Sequence, residues 1–139
     1  MSVGPGVLVD ANVLLDVVTE DATWFEWSAA AVAEAAGRTV LVVNPIVYAE
    51  VSVQFARIED LERALPADIY ARETLPWEAA FVAGKAFLDY RRRGGARRSP
   101  LPDFYIGAHA LVRGHTLLTR GAARYRTYFP RLRVVAPDA

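Results

Sequence analysis

The sequence predicts an α/β fold: an α/β/α sandwich around a central, mainly parallel sheet. Three observations lead there. Short apolar, β-branched runs recur with little alternation, the pattern of strands covered on both faces. Longer segments with three- and four-residue apolar spacing lie between them. Alternating strands and helices then require right-handed crossovers, which put helices on both faces of the sheet. The chain has 139 residues, 53% of them hydrophobic, enough for one sizeable core and too few for two, so residues 1–139 are read as a single domain.

The elements follow in order. Residues 7–9 open the chain as a strand inside GVLVDANVLLDVV, which stops on Asp10 and sets down Asn12 before it turns apolar again. Residues 22–36 are alanine-rich and predict a helix that stops at Gly37, read as its C-cap. A second strand is expected over 40–43. Asn44 followed by Pro45 marks the start of a helix over 45–56. Trp77, Phe81, Phe87 and Leu88 predict a helix over 76–93 that ends in Gly94-Gly95. Another is expected over 102–113, ending at Gly114. Strands over 116–119 and 133–136 flank a last helix.

Charge is unevenly distributed. Residues 1–70 carry three basic and eleven acidic side chains, a balance of −8; residues 71–139 carry thirteen and five, a balance of +8. This suggests an acidic region suited to a cation beside a basic one suited to a polyanion. Fifteen of the sixteen basic residues are arginine, whose planar fork suits phosphate. Cysteine is absent, which removes disulfide and zinc-thiolate chemistry and agrees with a reducing compartment. No stretch is apolar enough to span a bilayer, and no basic segment precedes the first apolar run. A cytoplasmic protein is expected.

Asp10, Glu50 and Asp103 are the acids of interest. Each also has an ordinary reading. Asp10 suits a helix cap, Glu50 borders an apolar stripe where an arginine would neutralise it, and Asp103 sits in a first helical turn where negative charge favours the macrodipole. Brought together at one end of a sheet, they would repel and take up protons unless a hard divalent cation joined them. Gly107 costs its helix about 1 kcal/mol relative to alanine, which suggests a close approach there. His109 reads as an ordinary helix residue and His115 as a turn residue, too few for a zinc triad. A phosphatase or phosphoryl-receiver would need a lysine after a later strand, and the sole lysine, Lys85, falls within a helix.

Asp10 with Asn12, Glu50 inside NPIVYAEVS, Asp103 inside PDFYIGAHA, and LLTRGAARYRTYFP together resemble the PIN-domain family, more narrowly the VapC toxins of toxin–antitoxin pairs. The likeness spans nearly the whole chain. It implies a Mg2+- or Mn2+-dependent endoribonuclease, usually a homodimer, held in check by a VapB-type antitoxin. On that basis Asp10, Glu50 and Asp103 bind the metal and Asn12 and Thr119 are polar supports. The sequence departs from the family at Gly121, where an acid usually follows Thr-Arg. That departure keeps a second reading open, a weakened or inactive module that binds antitoxin or RNA without cutting it. Arg98, Arg120 and Arg124 are the expected RNA contacts among the basic residues, with a solvated surface as the alternative for the cluster at 91–98. Trp24, Phe25 and Trp27 are expected in the core or an interface, and Tyr125, Tyr128 and Phe129 in packing of the last helix.

Overall fold

The computed structural model describes residues 4–95 and 100–137. Five strands form one sheet: β1 (Val7–Val9), β2 (Leu41–Val43), β3 (Tyr70–Arg72), β4 (Thr116–Leu118) and β5 (Val134–Val135), in the order β3-β2-β1-β4-β5. All four pairings are parallel, with Leu8 opposite Val42 on one side and Leu117 on the other. Leu8, Val9, Val42 and Leu117 are fully buried, as expected of strands flanked by helices on both faces. The sequence expectation of a helix-flanked parallel sheet therefore holds. Among the described residues no helix is long and apolar enough to cross a membrane.

Among the described residues seven helices flank the sheet: α1 (Ala11–Val18), α2 (Phe25–Arg38), α3 (Pro45–Ser52), α4 (Ile58–Ala64), α5 (Trp77–Arg92), α6 (Leu101–Arg113) and α7 (Ala123–Tyr128). Their starts follow local chemistry. The Asn44 side chain accepts from Val47 N at 2.9 Å and Pro45 takes the first turn of α3, leaving fewer orphan donors there. Gly114 closes α6 in the left-handed region at φ 75°, where a side chain would be strained.

Several expected boundaries move. The helix foreseen over 22–36 starts at Phe25, because Asp21 Oδ2 accepts from Thr23 N and Trp24 N and holds a turn. Gly37 lies inside that helix and Thr39 is its C-cap. β3 and α4 were not foreseen. The helix expected over 45–56 ends at Ser52.

α5 rests on α6 through buried Ala79, Ala83 and Ala86, and Tyr90 meets Phe104 edge-on at 5.7 Å. Its other face leaves Trp77 89% and Phe81 67% exposed, with Leu88 also open.

Candidate functional site

The sheet order reverses at β1: its neighbours β2 and β4 carry the chain away in opposite directions. In open parallel sheets, ligands bind beyond the carboxyl ends of strands at such a point. Asp10 immediately follows β1, and Thr119 immediately follows β4. A pocket of about 410 Å³ opens there, lined by Asp10, Asn12, Glu50, Asp103, Gly121, Arg124 and Tyr125, among others.

Asp10 is buried and fixed by three donors. Its Oδ1 accepts from Ala11 N at 2.8 Å, so it does cap α1. Its Oδ2 accepts from Thr119 Oγ1 at 2.8 Å and from the Tyr125 hydroxyl at 3.0 Å. Capping and site duty thus coexist in one carboxylate. Asn12 does not reach Asp10. Its Nδ2 donates to Thr119 Oγ1 at 3.3 Å, and its Oδ1 accepts from Arg120 N at 3.1 Å. Asn12 therefore ties the loop after β4 to α1 and steadies Asp10 through Thr119.

The electrostatics of the pocket are strained. Burial, opposed by the Thr119 bond and reinforced by the charge of Asp103, raises the Asp10 carboxyl above its ordinary range. Glu50, on α3, is pushed up to about 7 by burial and then by the charges of Asp10 and Asp103. The Tyr125 hydroxyl is driven well above its usual range by burial and by the neighbouring carboxylates, chiefly Asp10, so it stays protonated and donates. An oxygen-only donor set with surplus negative charge fits a hard divalent cation.

The arginines expected to meet RNA separate. Arg124, at the start of α7, lies on the pocket wall and donates from Nη1 to Asp103 Oδ2 at 2.7 Å. Arg120 turns elsewhere: Nε and Nη2 both bind the buried carboxylate of Asp16, at 2.8 and 3.1 Å, and the guanidinium lies 5.3 Å from the centre of the Trp24 ring. Ser28 Oγ donates to the same carboxylate at 2.7 Å. That fork ties α1 and α2 to the loop after β4 instead of facing the pocket. Arg98 lies outside the described residues.

Tyr125, which the sequence placed in packing of the last helix with base stacking as the alternative, also reaches the site through its hydroxyl. Its ring does pack: a Cβ added at Gly107 would stand 2.7 Å from Phe129 Cε2 and 3.1 Å from Tyr125 Cδ1. The bare backbone of α6 at Gly107 thus lets the α7 rings close in, and the hydroxyl reaches Asp10 as a result.

A second polar cluster was not foreseen. Glu73, His109 and His115 are buried, and among the described residues they form the one group of three potential metal ligands whose atoms fall within 4.8 Å of one another. Their hydrogen bonds argue against an ion. His115 Nδ1 accepts from Gly6 N at 2.9 Å, and His109 Nδ1 faces Asn44 Nδ2 at 3.0 Å. The Asn44 amide is oriented by its bond to Val47 N, so Nδ2 is the donor. Both rings accordingly carry their proton on Nε2 and donate to Glu73 Oε1, at 2.8 and 2.9 Å. The nitrogens that face one another are protonated, which leaves no lone pair for a metal. His109 does lie within α6 and His115 just after Gly114, as expected, but the buried bonds that join both to Glu73 were not foreseen.

Comparison with known proteins follows the same line. The family model described as PIN domain matches residues 7–130. No curated protein matches the sequence. Among solved structures, the chain is similar to a toxin-antitoxin complex from Klebsiella pneumoniae at 21% identity and TM-score 0.71, covering 95% of this chain and 98% of that one. It is also similar to VapBC-1 from nontypeable Haemophilus influenzae at 18% and 0.70, covering 94% and 96%. VapBC2 from Rickettsia felis, bound to a DNA fragment from its promoter, matches at 15% and 0.70, covering 95% and 98%. With the family model spanning β1 through α7, the chain belongs to the PIN domain family.

Proposed function

We propose that the protein is a Mg2+- or Mn2+-dependent endoribonuclease, the VapC-type toxin of a toxin–antitoxin pair, which hydrolyses RNA phosphodiesters with water. The observation that carries this reading is the meeting of Asp10, Glu50 and Asp103 around one open pocket in a PIN domain chain. Those three carboxylates would hold the ion. A cation held there would supply the Lewis acidity that activates water and the positive charge that offsets charge growing at phosphorus. The chain's own part is orientation. Thr119 and Tyr125 fix Asp10 Oδ2, Asn12 fixes Thr119, and Arg124 leaves a guanidinium at the pocket wall within reach of a phosphate. With water as nucleophile, the RNA 2′-hydroxyl serves recognition only, and the products carry 5′-phosphate and 3′-hydroxyl ends.

Cleavage of single-stranded RNA in Mg2+ or Mn2+ tests this. Asp10→Asn should lower turnover about 100- to 1000-fold. Equal activity in that variant, or cyclic phosphate ends on the products, would refute it.

Two observations favour the second reading, a module that binds without cutting: position 121 carries no acid, and Arg124 already occupies Asp103. RNA retained by the protein with no turnover at high enzyme concentration would establish it.

An antitoxin partner is supported by the toxin–antitoxin complexes among the structural relatives. Homodimer formation is supported by α5. Trp77, Phe81, Gly84, Leu88 and Arg91 recur at alternating four- and three-residue steps, the seam of a helix pair. All five are exposed. Antiparallel pairing with a second copy about a two-fold axis beside Gly84 would set Phe81 against Leu88 and Glu78 against Arg91, apolar on apolar and acid on base.

A further inference from the structure

We infer that Arg124 is a built-in cation of the acidic pocket, standing in for a second metal ion and passing from Asp103 to an RNA phosphate when substrate binds. This rests on the nuclease reading above and adds to it how many ions the site holds and which side chain grips the scissile phosphate.

Four observations support it. Arg124 Nη1 and Asp103 Oδ2 are 2.7 Å apart on the wall of the same pocket that Asp10 and Glu50 line. Beside them, position 121 is bare: a Cβ built on Gly121 meets no atom within 4 Å, so the wall lacks both a carboxylate and any side chain that would fill its place. The charges also decide the count. Once metal binding has drawn off their protons, the three carboxylates and one guanidinium among the described residues of this pocket carry two net negative charges, which one divalent ion cancels and two would overshoot. Finally, the Arg124–Asp103 pair is open to solvent, with side-chain exposures of 42% and 35%. A single hydrogen bond engages one of the five guanidinium donors, so the fork is free to take two phosphate oxygens. Arg120 offers the contrast, with its fork already closed on buried Asp16.

A linkage follows. While Arg124 sits on Asp103 it competes with metal for that carboxylate. When an RNA phosphate draws the guanidinium away, Asp103 is released toward the ion. Metal and RNA therefore strengthen each other's binding, and the coupling is reciprocal.

The test is Mn2+ binding to the full chain without RNA, read by electron paramagnetic resonance, together with binding of a short oligouridylate to an Asp10→Asn background. Wild type should take up one Mn2+ per chain. Arg124→Ala and the closer mimic Arg124→Gln should bind Mn2+ about 3- to 10-fold more tightly, since a competing ion pair is gone. Both should bind the oligouridylate more weakly, with a salt slope smaller by about 1. Unchanged or weaker Mn2+ affinity in both folded variants, or two ions on wild type, would overturn the role of Arg124 and leave the nuclease reading intact. Absence of Mn2+ binding in every form would overturn both.

Discussion

Two gatherings of titratable side chains among the described residues solve opposite problems. Around Glu73, one carboxylate oxygen accepts a hydrogen bond from each of two imidazoles whose other nitrogens are also bonded. Every polar atom there has its partner, and Glu73, His109 and His115 are all shut away from water. Around Asp10, three carboxylates share an open pocket with one guanidinium among the described residues, and two of the three resist ionisation. The closed cluster spends its polar groups on the fold. The open one keeps its charge unbalanced, which disposes it to take up an ion.

The largest effect expected from breaking this contrast falls on the closed cluster. Glu73→Leu removes the acceptor for two buried N–H groups and should lower stability by about 3 kcal/mol or more in urea unfolding. Glu73→Gln keeps one carbonyl oxygen and should cost clearly less. Mn2+ uptake by the folded fraction should be the same in both, because the carboxylates proposed to hold the ion line a different pocket.

The open pocket should respond to pH. The folded-state pKa of Glu50, about 7, lies above its ordinary value of 4.5. At Glu50 the folded protein therefore binds more protons than the unfolded chain between those values, and that residue's contribution to stability falls as pH rises across that window, partly offset by His109, which burial shifts downward. Scanning calorimetry should show a melting temperature a few degrees lower at pH 8 than at pH 5.5 in EDTA. Mg2+ should restore most of the difference, and Glu50→Gln should flatten it.

Tyr125→Phe sharpens the comparison from inside the pocket. It deletes one of three donors to Asp10 with little change of shape, costing about 1 kcal/mol. The carboxyl should become harder to ionise, and Mn2+ affinity should drop about 3- to 5-fold with packing preserved in the near-ultraviolet spectrum. The smallest change is a gain. Gly121 has room for a side chain, so Gly121→Asp should bind Mn2+ about 2- to 4-fold more tightly and cleave RNA faster. Unchanged values for both would show that this wall does not face the ion.

The legibility of the sequence divides along the same line. Strands such as Leu41–Val43 were readable because they are apolar on both faces. β3 was not: Tyr70-Ala71-Arg72 is a short edge strand with one buried residue, and nothing in its pattern separates it from a loop. Gly37 misled as a stop because it lies on an exposed part of α2 with open space around it, where a helix tolerates glycine's cost. Asp10 stood out because a carboxylate ending a buried strand is locally anomalous. The Glu73 network was invisible because its bonds join residues 36 and 42 positions apart, and neither histidine has a local motif. Tyr125 lay in view as an aromatic ring, but the reach of its hydroxyl depends on Gly107 and on the fold of the rest of the chain.

The bonds that fix Asp10 span 109 residues to Thr119 and 115 to Tyr125. During translation, a ribosome that has already released Asp10 must therefore deliver more than a hundred further residues before that carboxylate acquires its partners. The growing polypeptide carries Asp10 without the side chains that orient it, so the acidic pocket is completed late in synthesis.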